Sequence, residues 1–533
     1  METDSGDRVQ LRNGNLAASI GTNTLFGMMS TFAQIATRLV TVPVVIHYLG
    51  LEGYGIWNII MTTATYMRFG AVGVKTAYQK YVAEATGNGD YETANKLLST
   101  GSAVMVCFSV CFLIPVWASS GWIAKAAGVP GEFLSSASGA IGLLAIIMVM
   151  ANVGAVFEAI VMGGHRIDLV RKFGTVLTIA ESLAILLVLR LGHGLMAMAA
   201  VMGASELLYV SCCCVAARRV LPQCKVRLRY VSKDVLYELF RYAGSYQLVN
   251  VLEVLYSSLL PFAILRIYGP RLAGAYAVVT RVVGVAGAFQ EPFLSPILSA
   301  GAMVHATGSA VQMKTLVTKA FKVALGLCLL PLGFIAIFGK TIAYVWTGQV
   351  ESAFQGAFWL VCLRAVFASL SLLALVLYRA SGKAILDNIR QVVRLTIMVT
   401  FVAFARRVGF YGLLAGMTLA EVLGMLLMLF ALTRTFRGFS ARSLLPDTVR
   451  QAAAAALVLG AGVTASYFPI PADLAGRLGA AWRLGAISAT CLLMVFPVVV
   501  CTGTVTREEG TVLMSMFRRK AAMPSIDKAR PQE

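Results

Sequence analysis

The sequence predicts an all-α integral membrane protein of about fourteen transmembrane helices. Two observations predict it. Hydrophobic residues are 58% of the 533 and charged residues only 13%, about half the charge of a typical soluble domain. The apolar residues also fall in runs of about twenty, the length that spans a hydrocarbon core. Such a chain cannot cover its own apolar surface with polar groups. That excludes a soluble enzyme, a disordered chain and a nucleic-acid binder.

In chain order the apolar runs cover 17–48, 53–80, 95–118, 137–163, 169–190, 195–217, 242–266, 272–300, 317–339, 354–379, 384–405, 411–433, 450–468 and 482–502. None alternates with period two, so helices rather than barrel strands are expected. The net charge of +20 follows topology. With the N-terminus inside, the inside loops and tails hold 21 Lys and Arg and the outside loops 6. This positive-inside bias places both termini in the cytoplasm. No cleavable signal peptide is expected, because the first apolar stretch is too long for one and acids precede it.

The divisions expected are a cytoplasmic N-tail (1–16), a first lobe of six helices (17–217), a basic loop with an interfacial helix (218–241), a second six-helix lobe (242–433), helices 13 and 14 (434–502) and a cytoplasmic C-tail (503–533). The loop holds Arg218, Arg219, Lys225, Arg227, Arg229 and Lys233, a pattern suited to anionic lipid headgroups. Ser232 is placed to cap the interfacial piece, and Asp90 a similar piece over 91–98.

The lobes read as two parallel repeats. Pro43 and Pro261, Gly50 and Gly269, Asp168-x-x-Arg171 and Asp387-x-x-Arg390, and Gly194-Leu195 and Gly412-Leu413 recur at spacings of 218 or 219. An even six-helix step preserves orientation, so the repeat axis lies along the membrane normal. Transporters built this way bind substrate at the repeat interface.

Deep charges are the candidate site, since each is costly in lipid and usually faces a cavity or a partner. Arg38, Arg68, Arg281 and Arg364 lie near mid-helix. Each is either half of a structural ion pair or part of an anion site, where its fork suits phosphate. Glu253, Glu421 and Glu206 are the acids placed to couple proton or sodium movement, with interhelical clamping as the other reading. Gln247 and Asn250 extend the polar side of the helix that holds Glu253. Pro43 and Pro261 each remove a helical hydrogen bond, giving a gate or plain curvature. The ten Cys are read as packing residues, and the four His have no metal-ligand spacing. No phosphate loop, catalytic triad or metal motif is present, so neither enzyme activity nor a metal or other cofactor is expected.

Arg38-Leu-Val-Thr-Val-Pro43 through Tyr48-Leu-Gly-Leu-Glu-Gly-Tyr-Gly55 resembles the opening of the polysaccharide transporter family. These are the O-antigen and exopolysaccharide flippases of the multidrug/oligosaccharidyl-lipid/polysaccharide exporter superfamily. Phe69-Gly-Ala-Val-Gly73, Tyr81-Val-Ala-Glu84, Asp90-Tyr-Glu-Thr-Ala94 and Leu236-Tyr-Glu-Leu-Phe-Arg-Tyr-Ala-Gly244 match its pattern too.

The resemblance implies a V-shaped pair of six-helix bundles in the bacterial inner membrane. Its cargo would be an undecaprenyl-diphosphate-linked oligosaccharide, moved outward by alternating access. It also implies a cationic cavity at Arg38, Arg68 and Arg281, with a polysaccharide polymerase and a chain-length regulator as partners. The competing expectations are a drug/cation antiporter and a non-transporting scaffold for glycan assembly.

Overall fold

The computed structural model describes residues 3–67, 85, 89–164, 166–288, 297, 300–301, 303–304, 310–379, 385–436, 439–467 and 476–502. Side chains are described within these except at 3–32, 34, 38, 238–250, 288, 310, 385, 441 and 500. The described residues form fourteen α-helices and two short 3-10 turns, with no strand. The helices are α1 Thr3–Met67, α2 Tyr91–Ala118, α3 Ser120–Ala127, α4 Gly131–Gly163, α5 Ile167–Arg190, α6 Leu195–Val220 and α7 Lys233–Tyr268. They continue as α8 Pro270–Ala288, α9 Ala310–Thr347, α10 Phe354–Arg379, α11 Ile385–Ala403, α12 Ala405–Thr435, α13 Leu445–Ala465 and α14 Gly476–Cys501.

Eleven stretches among the described residues are long and apolar enough to cross a membrane, fewer than the fourteen expected. The differences have physical causes. The first two expected spans run through α1 with one break, at Gly50. The described part of α8 stops at Ala288. Asp387, Arg390 and Arg394 make α11 too polar to qualify by composition. The chain is a multi-pass helical membrane protein, with eleven candidate spans found among the described residues.

Capping follows the sequence. The Asp90 side chain accepts from Thr93 N at 3.0 Å at the start of α2, satisfying one of the helix's free N–H groups. That bond holds the Asp90 carboxyl below the usual carboxylate range. The interfacial pieces expected at 91–98 and after Ser232 are the first turns of α2 and α7, which continue unbroken. Helical bonding satisfies the backbone where they enter lipid.

The repeat is visible in the backbone. Gly50 (φ 71, ψ 175) and Gly269 (φ 89, ψ 171) share a left-handed conformation. Gly128 (φ 84) and Gly348 (φ 75), 220 residues apart, form a second such pair. Gly192 (φ 83) and Gly409 (φ 75), 217 apart, form a third. Each is a chain reversal or helix break that a side chain would strain.

The chain divides into two compact units. One comprises Met1–Arg281, Trp346–Leu360 and Ile385–Gly424, and the other Val282–Val345, Val361–Ala384 and Met425–Glu533. In the first, α4 and α6 pack closely: a Cβ on Gly154 would sit 2.4 Å from Val210 Cγ2. Small residues permit such approaches where both partners are already in lipid. In the second, α13 and α14 share a core with α9 around Phe338, Val458 and Ile487. Gln451 Nε2 donates to Lys322 O at 2.6 Å.

Candidate functional site

Within the first unit, α1, α4, α5, α6 and α8 line an open cavity of about 680 Å3. Glu158 of α4, Glu181 of α5 and Glu206 of α6 bring three carboxylates to its wall, and α8 brings Arg281. Glu158 and Glu206 lie within electrostatic reach of Tyr209, also on the wall. Asn152 fixes one corner, donating to Met67 O and to Ser109 Oγ, each at 3.1 Å. Those bonds tie α4 to α1 and α2, so the wall is preorganised. Neutral acceptors and donors (Thr65, Thr178, Ser205) complete it.

The second polar centre of this unit joins α7, α11 and α12. Arg394, 5% exposed, donates from Nη1 to Glu253 Oε2 at 2.9 Å and from Nη2 to Glu421 Oε1 at 2.6 Å. Gln391 bridges the group, accepting from Arg394 Nη1 at 2.7 Å and donating to Glu253. Tyr256 donates to Glu421 Oε1 at 3.2 Å, and its ring lies 4.0 Å beneath the Arg394 guanidinium. Arg390 pairs with Asp387 at 3.4 Å on the same helix. Glu421 is 1% exposed and Glu253 44%. A charge buried this deeply persists only with a partner, so Arg394 and Glu421 require each other. Glu253 has one side open.

The expected site residues separate accordingly. Arg281 and Glu206 share the cavity, while Glu253 and Glu421 share the Arg394 centre. Arg364 is half-buried on α10, in the second unit. Arg68 and the Arg38 side chain lie outside the described residues, as do the side chains of Gln247 and Asn250. The cavity wall, among described residues, thus has one Arg and three Glu rather than the several Arg expected. Pro43 lies inside α1 and Pro261 inside α7, and each removes one helical hydrogen bond without ending the helix. The carbonyl that Pro43 strands, Leu39 O, accepts from Trp346 Nε1 at 2.8 Å.

Sequence reasoning passed over Arg394. Its signal was there: Asp387, Arg390, Gln391 and Arg394 recur at helical spacing on one face of a supposed span. Asp387-x-x-Arg390 also marks the repeat. Its counterpart Asp168 instead pairs with Arg166, at 3.0 Å, and with Lys172.

These features define the class: a multi-pass helical membrane protein with polar centres among its helices. The lipid II flippase MurJ in its inward closed conformation superposes with a TM-score of 0.68 at 12% identity, over 94% of this chain and all of that one. An inward-facing multidrug resistance MATE family transporter of the MOP superfamily gives 0.65 at 15% identity, over 75% and 94%. A Pyrococcus furiosus MOP superfamily transporter described as having a binding pocket of reverse polarity gives 0.58 at 16%, over 78% and 95%. No curated protein matches the chain by sequence. The chain belongs to the polysaccharide biosynthesis protein family, whose model matches residues 20–300, more than half its length.

Proposed function

We propose that the protein is a flippase. Its cargo is an undecaprenyl-diphosphate-linked oligosaccharide repeat unit of O-antigen, exopolysaccharide or capsule type, crossing the bacterial inner membrane by alternating access. The observation that carries this reading is the 680 Å3 cavity with Arg281 set among carboxylates. Its volume lies in the range of ligand pockets, about 300–1,000 Å3. Arg281 offers a forked cation to a diphosphate oxygen. Glu158, Glu181 and Glu206 accept hydrogen bonds from sugar hydroxyls. Membership of a polysaccharide biosynthesis family supports the glycan.

Arg38, Arg68 and Arg364 are the further candidates for the diphosphate. Glu253 is the leading coupling acid, because its open side admits a proton or sodium ion while Glu421 is closed in by Arg394 and Tyr256. Glu421 and Glu206 are the other coupling candidates. Bending at Pro43 and Pro261 gates the path, and no bond in the cargo is made or broken. Both termini face the cytoplasm, and a polymerase and chain-length regulator receive the product.

The test is a strain lacking the gene. Diphosphate-linked oligosaccharide should accumulate in the cytoplasmic leaflet, with rescue by the wild-type chain and not by Arg281→Ala. A normal lipid-linked pool with normal surface glycan would overturn the reading.

A second reading, a drug/cation antiporter, is favoured by the three carboxylates on one cavity wall. It predicts drug resistance on overexpression, lost on neutralising Glu181, with surface glycan unchanged.

A further inference from the structure

The segment joining α6 to α7, residues 221–232, is held down along its length. Three buried side chains of α2 bond its backbone. Asn95 Oδ1 accepts from Lys225 N at 2.6 Å, and Asn95 Nδ2 donates to Gln223 O at 3.3 Å. Ser99 Oγ accepts from Arg227 N at 3.1 Å, and Thr100 Oγ1 from Ser232 N at 3.0 Å. Asn95 and Ser99 are one helical turn apart, so one face of α2 serves as a rail. Leu221 and Cys224 pack onto the core around Leu98 and Ala217.

With the backbone turned inward, the cationic side chains point out. Lys225, Arg227 and Arg229 are all exposed, as are Arg218, Arg219 and Lys233 at the flanks. Tyr230 braces Arg229, whose guanidinium lies 4.8 Å above the ring and donates to the hydroxyl at 2.7 Å. Between the cations Leu228 is 87% exposed. Of the nearby acids, Glu92 is paired with Lys96 at 2.7 Å, and Asp234 lies on the first turn of α7.

We propose that this strap is a preorganised docking surface for anionic phospholipid headgroups. It lies at the ends of membrane-spanning helices, where headgroups are. Its cations alternate with an apolar residue, which suits a surface that is anionic outside and hydrocarbon beneath. The rail fixes the cations in advance, so binding does not have to order the loop. The inference does not depend on what the protein transports.

The experiment uses the full chain purified in an uncharged detergent. Phosphatidylglycerol and, separately, phosphatidylcholine are titrated in, and bound lipids are counted by native mass spectrometry. The wild type should prefer phosphatidylglycerol. Lys225→Gln with Arg227→Gln and Arg229→Gln should weaken that binding by roughly a hundredfold, at about fivefold per charge. Ser99→Ala with Thr100→Val keeps every charge and should still weaken it severalfold. Equal affinity for the two lipids, or phosphatidylglycerol binding that survives the triple change, overturns the proposal. Full affinity in a folded rail variant overturns it too, because loose charge would then suffice. If the rail variant does not fold, the triple variant, which touches no buried group, decides.

Discussion

The Trp346 indole N–H donates at 2.8 Å to the carbonyl of Leu39, 307 residues away. That carbonyl lies four residues before Pro43, whose ring nitrogen has no hydrogen to offer it. In lipid a stranded carbonyl has no water to turn to. Trp346 therefore serves the one carbonyl of α1 that Pro43 leaves without its helical partner.

Trp346→Phe keeps the ring and removes the donor. It should cost about 0.5–1.5 kcal/mol, read as a lower midpoint of thermal unfolding in detergent. In a Pro43→Ala background residue 43 supplies the missing N–H, so the same change should cost much less. Equal costs in both backgrounds would show that the indole does not serve that carbonyl.

The Arg394 centre predicts a hierarchy. Glu421→Gln leaves a guanidinium buried at 5% exposure without one of its two counter-charges, and should destabilise by about 3–5 kcal/mol. Glu253→Gln alters a side chain that is 44% exposed and should cost well under half of that. If Glu253 is the coupling acid, its variant should fold normally and yet lose the response of transport to an imposed proton or sodium gradient. A stable Glu421→Gln would show the buried pair to be replaceable.

What was legible in the sequence was what local rules determine. Hydropathy gives the helices, and the Asp90 cap is readable from residue type. The Gly50 and Gly269 breaks follow from one motif repeated 219 residues later, and they adopt one conformation. What was not legible depends on partners far apart in the chain. Arg394 reaches Glu253 across 141 residues and Glu421 across 27, and no periodicity encodes that meeting. The cavity shows the same limit. Arg281 was singled out by depth, but depth does not say that its neighbours are Glu158, Glu181 and Glu206. The polar face of α11 likewise pairs with acids on three different helices, Asp387 on α11 itself, Glu253 on α7 and Glu421 on α12.

The glycines that open α8 and the second part of α1 correspond in the repeat, and they also meet. A Cβ on Gly274 would lie 2.0 Å from Leu51 O, and one on Gly55 would lie 2.3 Å from Pro270 O and 2.7 Å from Gly274 N. These obstacles are backbone, which cannot rotate aside. Gly55→Ala and Gly274→Ala should each lower the unfolding midpoint sharply. Gly284→Ala, which meets nothing within 4 Å, serves as the control. If all three behave alike, the helices do not approach this closely.

Cys224 reports on the strap from inside. Burial pushes its thiol up, so at neutral pH less of it is the reactive thiolate. The sign is fixed: a raised pKa means slower alkylation at a given pH, with the rate still climbing above the pH where an ordinary thiol levels off. A variant with Cys224 as its only cysteine should therefore react with a maleimide more slowly than a free thiol near pH 7. Ser99→Ala with Thr100→Val in that background should release the strap, lower the thiol pKa towards its ordinary value and speed the reaction. A rate already equal to that of free cysteine, before the rail is cut, would mean that residues 221–232 are not held against α2 in solution.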